Sequence, residues 1–195
     1  MPWRWIFLAL IGYGLWHAWS GRTQQQPEGV LAPNAPRQIA VDRRTALEKH
    51  GYTLEPLARF EVEARVLGRE QYRTDRESKL APVDLALGWG RMSDSAVLKK
   101  VSVSQSNRFY FWRVDEFPIP QDEIVASSGN MHMIAANAAI EKRLRNIRPG
   151  QLVSLSGYLV EASAPDGWRW RSSLSRTDTG FGACELVWVE ELSVR

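Results

Sequence analysis

The sequence is poor in the groups that most often announce chemistry. Its 195 residues include one cysteine and three histidines. A single cysteine excludes an internal disulfide. His17, His50 and His132 are scattered, with no ligand spacing relative to Cys184. That excludes a structural zinc site, and no metal or other cofactor is expected. There is no Walker motif and no GxGxxG, so nucleotide hydrolysis and a Rossmann cofactor have no support. Charge of one sign is also scarce: the net charge is only +3. A nucleic-acid binder usually shows a larger basic excess or a known motif. No internal repeat or heptad is visible, and no long apolar run follows residue 20.

What is present begins at the N-terminus. From Trp5 to Trp19 no side chain is charged at neutral pH except a titratable His17, and Arg4 precedes the run. Ile6 to Leu15 has the character of a signal h-region, and Ala18-Trp19-Ser20 fits a cleavage site before Gly21. Trp3, Trp5, Trp16 and Trp19 bracket the segment, as suits the membrane–water interface. Residues 1–20 therefore read as an uncleaved signal anchor. The alternative is a signal peptide cut after Ser20 that releases a soluble periplasmic protein. The positive N-terminus favours a single pass of the cytoplasmic membrane with the C-terminal domain outside. Residues 21–40 are rich in Gln, Pro and Ala and read as a flexible linker. Residues 41–195 have the size of one domain.

Within that domain Phe60 to Val66 alternates apolar and charged residues, which predicts a strand. Ala81 to Gly88 reads as one or two helical turns with Pro82 in first position. Ser93 or Asp94 is suited to cap a short helix through Leu98. Arg108 to Arg113, Leu152 to Val160, Trp168 to Ser172 and Leu186 to Val189 read as strands, and Ile124–Ala126 and Met131–Ile134 as short ones. Ala135 to Ile147 predicts a helix with Asn137 as N-cap and arginines near its end. The fold expected is α+β, mainly β. It comprises an N-terminal membrane helix, then a small OB-like, partly open barrel with one or two helices.

The runs Ala81 to Gly90, Asn130-Met-His132 and Trp168 to Gly180 together resemble an uncharacterised family of bacterial proteins, which pairs an N-terminal membrane segment with a β-rich domain. The likeness spans about Leu57 to Glu190. It implies a discrete bacterial domain and carries no catalytic role.

Candidate chemistry is sparse. Asp178-Thr-Gly180 matches the short aspartic-protease signature, but its approach is polar and little chain follows. A β-turn, with Asp178 bonding its own backbone and Gly180 supplying positive φ, is the preferred reading. His132, between two methionines, is a candidate general base if a carboxylate and a nucleophile such as Asp178 or Ser173 lie beside it. Otherwise it is a hydrogen-bonded structural residue. Cys184 lies in an apolar run and reads as a small buried hydrophobe, with a reactive thiol as the alternative. Trp89, held between glycines, is either a stacking platform or a core anchor. Trp168 and Trp170 share one strand face, which places Arg169 and Arg171 together on the other, available to an anionic polymer. These features lead to three expectations. The first is a membrane-anchored, extracytoplasmic interaction domain without an evident catalytic site, binding a protein partner in an envelope assembly. The second is a glycan- or nucleic-acid-binding module using Trp89, Arg169 and Arg171. The third is a hydrolase using His132 and Asp178.

Overall fold

The computed structural model describes residues 3–20, 23–42, 45–175 and 184–195. Asp178 lies outside them. In chain order the elements are α1 (Trp3–Ser20), β1 (Arg37–Ala40), β2 (Leu47–Lys49), β3 (Tyr52–Gln71), β4 (Val83–Gly88), α2 (Ser95–Leu98), β5 (Ser102–Ser106) and β6 (Phe109–Arg113). There follow α3 (Gln121–Ala126), β7 (Ser128–Ala135), α4 (Ala138–Asn146), β8 (Leu152–Ser163), β9 (Arg169–Arg171) and β10 (Glu185–Val194).

The chain is mainly β, and its large sheet curls back on itself. β3 pairs antiparallel with β4, β4 with β7, β10 with β8, and β8 with β3, while β7 and β10 run parallel. The twenty-residue β3 makes this possible. Its first part pairs with β8 and its last part with β4, with register shifts at Pro56/Ala58 and Val66/Gly68. Such bulges bend a strand and raise its twist, which a curling sheet needs. Gly157 sits at another close approach. A Cβ there would lie 1.8 Å from the Trp188 carbonyl oxygen.

Alternate residues fill the interior. Phe60, Val62, Val83, Leu85, Leu87, Met131, Met133, Leu155, Val187 and Val189 belong to one buried cluster, and α4 adds Ile140 and Leu144 to it. The other face of the same strands is largely covered as well. Leu54, Ile134, Tyr158, Leu186 and Trp188 form a second cluster against Trp168 and Trp170. Both faces of β4 are therefore buried. This is why residues 83–88, expected to be helical, form a strand. Leu and Ala favour a helix locally, but burial against neighbours on both sides decides. Residues 124–126, expected to be strand, close helix α3. Asn137 does cap α4, accepting a hydrogen bond from the Ile140 amide at 3.0 Å. Asp94 caps α2 through the Ala96 amide.

The N-terminal run forms the eighteen-residue helix α1. Among the described residues, however, no helix is long and apolar enough to cross a membrane. The expected membrane-spanning helix thus has no support in the structure. Arg4, His17, Ser20 and the tryptophans, whose indoles are only weakly hydrophobic, dilute its aliphatic centre.

The stretch expected to be a flexible linker is tied to the barrel. β1 pairs with β3. Ahead of it, the Gln24 amide donates to Pro149, and the amides of Leu31 and Ala32 both donate to Ser93 Oγ at 3.0 Å. Composition suggested disorder because few large apolar groups are present; backbone hydrogen bonding supplies the contacts instead. Ser93→Ala would leave two amides without an acceptor, one of them on the fully buried Ala32. The expected loss is about 2 kcal/mol. Hydrogen exchange of the Leu31 and Ala32 amides should accelerate by at least about tenfold as this segment opens locally.

Candidate functional site

The outer face of β4 and β7 carries polar residues where the rest of the barrel wall is apolar. Val83, Leu85, Met131 and Met133 point inward, so Asp84, Asn130 and His132 point out. Asp84 and His132 are directly opposite each other in the antiparallel register. Asp84 is fully buried and His132 is 3% exposed.

Three side chains converge on the Asp84 carboxylate. Arg108 Nη1 and His132 Nδ1 approach Oδ1 at 3.0 and 2.9 Å, and Asn130 Nδ2 donates to Oδ2 at 3.3 Å. The His132 approach is close but off the line of its N–H, so it acts as an ion pair more than as a straight hydrogen bond. Cys184 immediately precedes β10, whose Leu186 stands beside His132 in the parallel register, and the sulfur lies near enough to help raise the imidazole. Cys184 is a free, partly exposed cysteine, and its Sγ lies 3.9 Å from the Arg108 carbonyl oxygen. Trp170 packs over the imidazole with ring centroids 4.6 Å apart.

Arg108 reaches this cluster from the β5–β6 hairpin. Ser106 pairs with Phe109, which leaves a two-residue loop of Asn107 and Arg108 with φ of 50° and 70°. Two left-handed residues match the twist of a tight hairpin, and the second is usually glycine. An arginine there carries a backbone cost of about 1–2 kcal/mol. Its side chain is held by hydrogen bonds at Nε and Nη1, while Nη2 is ion-paired without a hydrogen bond. Nε donates to Asp75 Oδ2 at 2.8 Å, Nη1 to the Ala81 carbonyl at 2.7 Å, and Nη2 lies 2.8 Å from Asp75 Oδ2. The guanidinium stacks 3.8 Å from the centroid of Tyr72, whose hydroxyl accepts from the Arg108 amide. Burial, reinforced by Asp84, pushes the Tyr72 hydroxyl up to about 12. Gln105 on β5 donates to Asn130 Oδ1 at 2.7 Å and fixes the amide that faces Asp84.

The electrostatics of His132 are set by opposing effects. Burial disfavours its charge, but Asp84 and Cys184 favour it more, and the result is a rise to about 9. At neutral pH the imidazole is therefore an imidazolium beside a carboxylate and near a sulfur. A carboxylate, an imidazole and a thiol in one neighbourhood are the groups from which an activated cysteine is built. Among the described residues no group of three or more His, Cys, Asp or Glu is suited to hold a metal.

The residues singled out in the sequence fare differently. His132 does meet a carboxylate, but that carboxylate is Asp84. The proposed partner Asp178 and the Asp178–Gly180 motif lie outside the described residues. Ser173 is buried, and its hydroxyl closes a local turn with Ser175. Trp89 is 3% exposed and sits in the barrel core, so it offers no stacking face. Arg169 and Arg171 are exposed, but Glu161 pairs with both. Trp168 and Trp170 are half-buried, as the strand alternation implied. Cys184 is less buried than its apolar run suggested. Asp84 and Arg108 were legible only as neighbours of other features.

No protein-family model matches the chain, and no curated protein or solved structure matches it.

The raised His132 has a consequence for stability. Its folded value of about 9 lies above its ordinary 6.5. The resulting stabilisation is complete below about pH 6.5 and is lost as pH rises through about 9. It amounts to roughly 3 kcal/mol. Thermal unfolding of the full chain should show Tm falling across that window, and His132→Gln should flatten the slope. An equal slope in both proteins would contradict the pairing.

Proposed function

We propose that this chain is an OB-like barrel carrying a cysteine-dependent acyl-transfer site on its outer face. The OB-like reading is supported by the strand order. Counting β3, β4, β7, β8 and β10 as first to fifth, the pairing runs first–second–third–fifth–fourth and back to the first, with α4 between third and fourth. Barrels of this kind use the face of their second and third strands, with the first-to-second and fourth-to-fifth loops, to hold ligands. Asp84, Asn130 and His132 occupy those strands. Tyr72 and Asp75 come from the first of those loops, and Trp170 and Cys184 from the long connection between β8 and β10.

The observation that carries the catalytic reading is the ion pair of His132 with Asp84 in the neighbourhood of Cys184. Cys184 Sγ attacks the acyl carbon as the thiolate and forms a C–S bond. His132, already protonated at neutral pH, gives its proton to the departing oxygen or nitrogen as the bond to it breaks. Water then attacks the thioester, its proton passes to His132, and the C–S bond breaks to release the acid and return the thiolate–imidazolium pair. Asp84 holds the ring in place. With p-nitrophenyl acetate as probe, Cys184→Ala and His132→Ala should each lower hydrolysis by about 100-fold or more, and Asp84→Asn by about tenfold or more. Equal hydrolysis by wild type and Cys184→Ala overturns the reading.

A second reading, a membrane-tethered extracytoplasmic interaction domain, has its own support. Trp3, Trp5, Ile6, Phe7, Leu8, Leu10 and Ile11 of α1 are all exposed. Eighteen helical residues span about 27 Å, close to a hydrocarbon core of about 30 Å. Phe111 and Phe117 near the β5–β6 hairpin are 52% and 51% exposed, an apolar surface that suits a protein partner. In this reading the full chain stays in the membrane pellet after alkaline carbonate extraction and a chain starting at Gly21 does not. A stoichiometric partner co-purifies with the wild type and is lost in Phe111→Ser/Phe117→Ser. Release of the full chain by carbonate would dismiss the tether. Polymer binding through Arg169 and Arg171 has less support, because Glu161 engages both.

A further inference from the structure

Arg108 contacts both Asp84 and Cys184. Its guanidinium is 3.0 Å from Asp84 Oδ1, and its own carbonyl oxygen is 3.9 Å from Cys184 Sγ. The same carbonyl accepts from Asn130 Nδ2 at 3.1 Å, and that amide also faces Asp84. The residue does this from the second position of a turn that favours glycine, at φ of 70°. Strained backbone persists only where the surroundings impose it, and it collects at working sites. Glycine would relieve the turn, but it would take away the guanidinium that bridges Asp75 and Asp84.

We infer that Arg108 is the positioning residue of the thiol site, fixing Asp84 against His132 with its guanidinium and placing the Cys184 sulfur with its carbonyl oxygen. The inference rests on the acyl-transfer reading for its purpose, but the geometry is tested without substrate. As a thiol the sulfur donates S–H to the Arg108 carbonyl, so the hairpin tip fixes where the sulfur sits. Among the described residues, the charged and titratable groups around this sulfur and its imidazole are His132 on β7, Asp84 on β4 and Arg108 on the hairpin tip. Asp75 and Tyr72, from the loop before β4, lie behind Arg108.

Cys184 is the chain's only cysteine and His132 one of its three histidines, so both report individually. The test is the rate of Cys184 alkylation by iodoacetamide at pH 7.5 in the full chain, with imidazole ¹⁵N signals recorded alongside. Wild type should react at least about tenfold faster than His132→Ala. If the two react alike, the thiol-site reading itself fails. Arg108→Gly should lower the wild-type rate about tenfold, and Arg108→Lys, which keeps the charge but not the planar fork, should fall between them. In both variants the His132 ring signals should move. An arginine serving only the fold would lower Tm and leave rate and ring signals unchanged, and that result overturns the inference. If Arg108→Gly does not fold, Arg108→Lys decides: a wild-type rate with unmoved ring signals overturns the proposal.

Discussion

A carboxylate with no exposed surface cannot stand alone in a protein wall. Asp84 is such a group, and most of what surrounds it follows from that. Leaving one charge buried and unpaired costs several kcal/mol, whatever the pair itself contributes. The barrel meets this by register: His132 stands across from Asp84 on the next strand. That single cation is not enough to shield the outer side, so the β5–β6 hairpin folds over and adds Arg108. Arg108 in turn needs Asp75 and the Ala81 carbonyl, both in the connection leading into β4. The site and the loops around the barrel are thus one arrangement. Each cation near Asp84 is held by a different part of the chain, and none can leave without exposing the others' unmet charge.

The same requirement explains why the barrel wall is buried on both sides. An open sheet with one wet face would let Asp84 be solvated, and His132 would titrate near its ordinary value. Here the outer clusters around Trp168, Trp170 and Trp188 keep water away from β7. Exclusion of water strengthens the Asp84–His132 attraction. That is why the attraction outweighs the desolvation of the imidazole and the net movement is upward.

How much of this was legible in the sequence depends on whether the signal was local. The caps at Asn137 and Asp94, the alternation in Phe60 to Val66 and the strand near Leu152 are contacts within a few residues, and they appear as expected. Val83 to Gly88 was misread because a strand covered on both faces loses its alternation. Even so, a trace remained. Asp84 interrupts an apolar run, and His132 sits between two methionines; in each case one polar residue faces away from an otherwise apolar strand. Read together, those interruptions mark a shared outer face. The pairing of position 84 with 132 depends on register, however, which no local pattern states. Arg108 was harder still. It looked like the start of a strand, and only its φ reveals that it occupies a glycine position.

The placement of the thiol completes the argument. Inside the barrel a cysteine would be inert, packed among Val and Leu with no acid or base in reach. Just before β10, near the outer face of β7, it remains partly exposed, so a reagent can reach it. Burial is graded across the three groups: Asp84 is fully enclosed, His132 nearly so, and Cys184 only in part. That gradient is what a nucleophile requires. The charge that holds the ring is sealed from solvent, where it acts most strongly, and the atom that would reach a substrate in the proposed acyl transfer is the one left open. A polar network serving stability alone has no reason to end in an exposed thiol, since a hydroxyl or an amide would satisfy the same hydrogen bonds with better geometry.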